Sequence, residues 1–192
     1  MVAASEPGAA RPGPLKRATS AGLLVFRRGP AGLQFLLVHP GGPFWRRRDE
    51  GVWSIPKGLL EEGEDGLQGA MREFGEEVGL QVGGDFVRLA PLRQRSGKTV
   101  LCWLVAADLD LSGFHSNTLE MEWPPRSGRK LIVPECDRAE YFAADVALVK
   151  ILSGQRDFIR EALRLLGDEA KVEAKQARPG AVATRSVADT SA

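Results

Sequence analysis

The chain has 192 residues, with 26 Lys and Arg against 25 Asp and Glu and a formal net charge of +1. That near-balance excludes a general nucleic-acid or membrane-surface binder acting through excess positive charge. The length suits one domain with tails, and the absence of any run of 18 apolar residues excludes a membrane-spanning helix.

In chain order, residues 1–18 carry Pro7, Pro12 and Pro14 and no continuous apolar stretch, so a disordered tail is expected rather than a signal or transit peptide. Residues 20–27 and 33–39 are apolar runs around Arg28-Gly-Pro-Ala-Gly32, which reads as a β-hairpin. Residues 52–55 form a short strand candidate that Pro56 ends. Residues 65–78 have helical periodicity. Residues 86–94 and 99–107 pair around Ser96-Gly97, and the second run is apolar without alternation, as in a strand covered on both faces.

Residues 111–130 show no regular pattern and read as a long loop, a common form of lid or binding loop. Weaker strands are expected at 131–133 and 138–142, and helices at 144–152 and 155–166. From residue 168 onward there is no aromatic residue, and a flexible tail is expected. Strands interleaved with helices over 19–167 indicate a layered α/β domain with a mixed sheet. The two cysteines, Cys102 and Cys136, are too few for a disulfide framework and lack zinc-ligand spacing, so a reducing, cytoplasmic setting is expected.

The chemistry concentrates in residues 58–80, GLLEEGEDGLQGAMREFGEEVGL. Asp65 is an N-cap residue and Gly79 a left-handed C-cap. At 100° per residue, Leu67, Ala70, Met71, Phe74 and Val78 form an apolar arc, while Glu73, Glu76 and Glu77 form a separate acidic one. Like charges at i, i+3 and i+4 destabilise a helix, and Gly66, Gly69 and Gly75 weaken it further. Two readings follow from the residues alone: a solvated acidic face, or a Mg²⁺ site built from hard oxygen ligands.

Gly58, five residues, Glu64, seven residues, then Arg72-Glu73-Phe74-Gly75-Glu76-Glu77-Val78-Gly79-Leu80 resembles the Nudix box, GX5EX7REUXEEXGU, at every specified position. The resemblance implies a Nudix-type layered fold, a mixed β-sheet sandwiched between helices, over residues 19–167. It also implies water attack on a phosphoanhydride with Mg²⁺ (or Mn²⁺) as cofactor. Carried onto this chain, Glu76 and Glu77 would be direct metal ligands, with Glu73 beside them. Gly58 would offer its carbonyl, Glu64 would serve a second metal, and Arg72 would orient the glutamates. Many family members use a further carboxylate outside the box; Glu135 is the candidate, in competition with Asp137 and Glu120 and with a plain exposed-loop reading.

For substrate, Lys57 is expected to meet phosphate, and the run Arg46-Arg47-Arg48 reads as a solvated loop. Trp123 either stacks a base with Arg126 near phosphate or pins its loop to the core, and Trp45 and Trp53 carry the same two readings. His39 reads as a hydrogen-bonded structural histidine. Lys98-Thr99-Val100, continuing to Trp103-Leu104, and the WSIPKG loop of residues 53–58 resemble the asymmetrical diadenosine tetraphosphate hydrolases. The implied substrate is a small nucleotide, first a dinucleoside polyphosphate. A (d)NTP pyrophosphatase, an ADP-sugar diphosphatase, RNA 5′-end hydrolysis and a nucleotide sensor without turnover are the alternatives; neither nucleic acid nor membrane is an expected partner.

Overall fold

The computed structural model describes residues 19–30, 32–94 and 97–168. The tails expected at 1–18 and beyond 168 lie outside them. Asp168 itself is buried, and its carboxylate accepts from Arg28 Nη1 at 3.0 Å, so the folded body runs one residue past the expected boundary.

The expected hairpin is β1 (Thr19–Gly29) and β2 (Gly32–Pro40), paired antiparallel from Phe26/Phe35 to Gly29/Gly32. A strand appears later than expected in the next segment. Trp53 and Ser54 make only isolated bridges, to Ile151 and Val38, and β3 is Lys57–Leu59, antiparallel to β1 at Ser20–Gly22. The Pro56 carbonyl accepts from Leu23 N–H, so the proline joins the sheet through the one backbone group it retains.

Helix α1 is Gly66–Val78, and Asp65 caps it by accepting from the N–H groups of Leu67 and Gln68. Residues 86–94 divide into β4 (Val87–Arg88) and β5 (Leu92–Arg93), with Pro91 in the break. Both pair with β6 (Thr99–Ala106), which runs parallel to β1 along its whole length. Both faces of β6 are covered, as its sequence implies.

Residues 111–130 hold more structure than expected. A 3₁₀ turn, Leu111–Gly113, precedes β7 (Thr118–Glu122), which pairs antiparallel with β8 (Lys130–Pro134) in a separate two-stranded sheet. The hairpin hides from periodicity because most of its side chains are exposed, leaving no strict apolar face to recognise. Then follow β9 (Cys136–Ala143), α2 (Ala144–Lys150) and α3 (Arg156–Leu165).

The main sheet runs β4-β6-β1-β2-β9, with β3 beside β1 and β5 beside β6. Alternation along β1 and β2 divides the core. Ala21, Leu23, Val25, Leu36 and Val38 pack with Ala70, Phe74 and Val78 of α1. Leu24, Phe35 and Leu37 pack on the other face with Ala147 of α2 and Phe158, Ile159 and Leu163 of α3. A mixed sheet therefore lies between α1 and the α2–α3 pair.

His39 is the structural histidine its position implied. It is fully buried, 2.6 Å from Asp137 Oδ1 and 2.8 Å from the Arg48 carbonyl, with its ring edge-on to Trp53. Trp53 is itself fully buried and donates to Asp49, so the core reading holds and base stacking on it does not. His39→Ala leaves the Arg48 carbonyl without its side-chain partner and opens a void. An expected cost of about 2–4 kcal/mol should appear as a lower urea midpoint at unchanged m-value.

Candidate active site

The box loop reaches the sheet through β3 and turns into α1, which sets its acidic arc against the loop. Arg72 ties the parts together. Its Nε and Nη2 donate to the two oxygens of Glu64 at 2.8 and 3.0 Å, a bidentate pair. Nη1 donates to Glu73 at 2.9 Å and to Glu76 at 3.3 Å, and Nη2 also reaches the Leu59 carbonyl at 3.0 Å. The like-charge penalty of the helix is therefore offset by one guanidinium serving three carboxylates. Arg72 hydrogen bonds, with the Glu61 N–H, hold Glu64 down at about pKa 2.

The other acids go the opposite way. Glu73 is buried, and desolvation raises its carboxyl above the usual range against the pull of Arg72. Desolvation pushes Glu77 up to about 7, although the Lys57 side chain and the Lys57 N–H, at 3.0 Å, favour its charged form. The negative charge of Glu135 adds a smaller raising effect to both. Its backbone explains how: the Asn117 carbonyl accepts from Glu135 N–H, and Asn117 N–H donates to the Glu76 carbonyl, each at 2.8 Å. Asn117 thus links the C-terminal turn of α1 to the start of β9. No sequence signal marks Asn117, because it contributes backbone groups alone.

The competitors of Glu135 are engaged elsewhere. Asp137 is held by His39 and Arg138, and Glu120 pairs with Lys130 on the hairpin. Trp123 and Arg126 stand at the hairpin tip, about five residues or roughly 17 Å of strand from its base at Thr118. None of the described hydrogen bonds or ion pairs joins them to the glutamates. Trp45 is half-buried against the core, and Arg48 stacks over Phe44 at 4.4 Å, while Arg46 and Arg47 are exposed. Burial raises the thiols of both Cys102 and Cys136, so neither is a poised nucleophile.

The donors suit a hard divalent cation. Glu73, Glu76, Glu77 and the Gly58 carbonyl offer oxygen alone, the preference of Mg²⁺ and Mn²⁺. A Cβ at position 58 would overlap the Glu73 carboxylate and displace it. Among the described residues, no three acidic, His or Cys side chains converge in coordination geometry. Arg72 draws Glu64, Glu73 and Glu76 one way, and the Lys57 amide holds Glu77 another. Two helix glycines also find a reason. A Cβ on Gly66 would come within 2.8 Å of the Trp103 ring, and one on Gly69 would overlap Leu60, whereas Gly75 meets only open contacts.

The sequence model of the NUDIX domain matches residues 16–161. The chain belongs to the NUDIX family. Its NUDIX domain is 31% identical over 113 residues to Nudix hydrolase 7 of Arabidopsis thaliana, covering 55% of this chain and 38% of that protein. It is 33% identical over 95 residues to the asymmetrical bis(5′-nucleosyl)-tetraphosphatase of Sus scrofa, covering 43% of this chain and 60% of that protein. In both cases the alignment spans less than two thirds of the relative. The fold is similar to the NUDIX domain of Shewanella oneidensis NrtR complexed with ADP ribose, with a TM-score of 0.53 at 17% identity, covering 78% and 88% of the two chains. It is also similar to a C. elegans Ap4A hydrolase in a binary complex, with a TM-score of 0.51 at 23% identity, covering 77% and 98%.

Proposed function

We propose that this NUDIX domain is a Mg²⁺- or Mn²⁺-dependent pyrophosphohydrolase that cleaves a phosphoanhydride bond of a nucleoside diphosphate derivative. A dinucleoside polyphosphate such as diadenosine tetraphosphate is the first substrate. The observation that carries the reading is the set of box carboxylates beside the Gly58 loop, with Glu64, Glu73 and Glu76 tethered by Arg72 and Glu77 held by the Lys57 amide. The partial identity to the pig tetraphosphatase supports the substrate choice.

Glu76, Glu77 and the Gly58 carbonyl would hold the cation with Glu73 beside them, and Glu64 with Arg72 would fix their orientation. When bound, the cation lowers the pKa of water and neutralises charge on the phosphates. Glu135 takes the proton of the attacking water, and the Lys57 ammonium meets a phosphate oxygen. Trp123 and Arg126, on the hairpin tip, serve the distal part of a long substrate. Two free thiols and no disulfide among the described residues support a reducing, cytoplasmic setting.

The deciding experiment is a Mg²⁺-dependent turnover assay on a panel of dinucleoside polyphosphates, (d)NTPs and ADP-sugars, with mononucleotide products resolved. Binding of diadenosine tetraphosphate without turnover of any panel member would make the domain a sensor instead. Glu135→Gln is expected to lower kcat by about 10²–10⁴-fold with little change in KM. Near wild-type turnover would remove Glu135 from the base role.

A further inference from the structure

Among the described residues, β9 is an edge strand: β2 pairs with one side of it and no strand with the other. The hydrogen-bond parity of β2 decides which β9 groups that edge leaves open. Val38 exchanges both backbone groups with Ser54, at 2.9 and 3.0 Å, on the side away from β9. The closing pair Gly29/Gly32 sets the same parity from the other end of the strand. Phe35, Leu37 and His39 therefore face β9, opposite Phe142, Glu140 and Arg138. Ala139 and Tyr141 aim their N–H and C=O groups outward, whereas Asp137 sits at a bulge where the register with β2 shifts. The regular open run starts at Ala139, beyond the bulge, since Cys136 N–H donates to Ser116 Oγ and Glu135 N–H to Asn117.

Exposed edges are usually guarded by proline, by like charges or by brevity. This edge reads Asp-Arg-Ala-Glu-Tyr over residues 137–141, with alternating signs. Parity allows three two-fold antiparallel registers for a second copy near its centre. An axis through Arg138 sets Arg138 against the partner's Arg138, and one through Glu140 sets Glu140 against the partner's Glu140. An axis through Ala139 sets Arg138 against the partner's Glu140, twice, in the non-hydrogen-bonded positions where side chains approach closest. Ala139 then faces the partner's Ala139 and exchanges two backbone hydrogen bonds with it at the axis. Arg138 is already ordered for this, its guanidinium 5.1 Å from the centre of the Trp53 ring.

We propose that two copies of this chain associate along β9 about an axis through Ala139, forming one continuous sheet. A five-residue edge is small beside the ~800 Å² per partner of a standard interface. The cavity of about 600 Å³ beside it is lined by the charged Arg27, Asp108, Asp110 and Glu140 as well as by Leu109 and Tyr141, so it adds little apolar surface and leaves the contact mainly polar. The dimer is therefore weak and salt-sensitive, with a Kd of about micromolar order.

Sedimentation velocity on the full chain, over about 1–200 µM, tests this. The expected result is a concentration-dependent monomer–dimer equilibrium. Arg138→Glu and Glu140→Arg should each weaken it at least about tenfold by placing like charges opposite one another, and the double exchange should restore it. Thermal melts control for folding, since Arg138 packs on Trp53 whereas Glu140 is exposed. A wild-type monomer throughout the range would overturn the proposal, as would a dimer indifferent to both single exchanges or a double exchange that fails to restore it.

Discussion

Glu77→Gln is expected to lower kcat about a thousandfold while raising the stability of the chelator-treated protein above pH 7. Turnover falls because an anionic cation ligand becomes neutral, removing several kcal/mol of transition-state stabilisation at about 1.4 kcal/mol per tenfold. Stability rises because Glu77 carries a desolvation cost in its charged form. Its carboxyl goes from the ordinary 4.5 up to about 7 on folding. Below about pH 4.5 both states hold the proton, and stability from this group is fully present. Between 4.5 and 7 the unfolded chain alone releases it, so stability falls by up to about 1.4 kcal/mol per pH unit. Above 7 the loss is complete, at most about 3 kcal/mol, less where solvent still reaches the carboxylate.

Glu64 acts in a separate window. Its depressed carboxyl, near 2, contributes stability above about 4.5 that disappears as pH falls through 2. The two windows meet near pH 4.5, where the metal-free domain should be most stable with respect to this site. Thermal melts in chelator from pH 4 to 9 should show Tm declining toward neutrality in the wild type and a flatter profile for Glu77→Gln. The variant's advantage at pH 8 is roughly 5–10 °C. Mg²⁺ should restore the wild type alone. A wild-type profile that rises from pH 4.5 to 7 would contradict the assignment of Glu77 as a half-buried, proton-gaining carboxyl.

Gly58→Ala is expected to lower kcat about a hundredfold with a smaller effect on Tm. The new methyl group would occupy the volume of the Glu73 carboxylate. That carboxylate is the mobile end of a side chain, so it yields rather than the backbone, and folding survives. Its displacement breaks the 2.9 Å bond from Arg72 Nη1 and disturbs the guanidinium that also orients Glu64 and Glu76. Misplacement of about 1 Å in a catalytic array is enough for such a loss. Reduced kcat with an intact melting transition is the expected pair of measurements; wild-type kcat would show that Glu73 can move without consequence.

Legibility differed between elements for physical reasons. Helix α1 was readable because its cap, its apolar arc and its stop all lie within one local stretch. Strands β1, β2 and β6 were readable because burial on both faces of a central sheet leaves long apolar runs. β3 and β7 were not. The first has three residues and owes its place to pairing with β1, and the second keeps most of its side chains in water. The box carboxylates could be named by spacing. The tether of three of them to Arg72, the hold of the Lys57 amide on Glu77 and the Asn117 link to Glu135 could not.

By itself, the near-neutral sequence with 26 positive and 25 negative side chains determined a chain with one concentrated acidic helix, a layered α/β domain and the NUDIX family. These are matters of residue type and local spacing. Tertiary structure alone decided which carboxylates are buried, which are paired, and that Asp137 and Glu120 are engaged by His39, Arg138 and Lys130. Those outcomes depend on segments tens of residues apart meeting at one end of the sheet, and desolvation and hydrogen bonding act only once they have met.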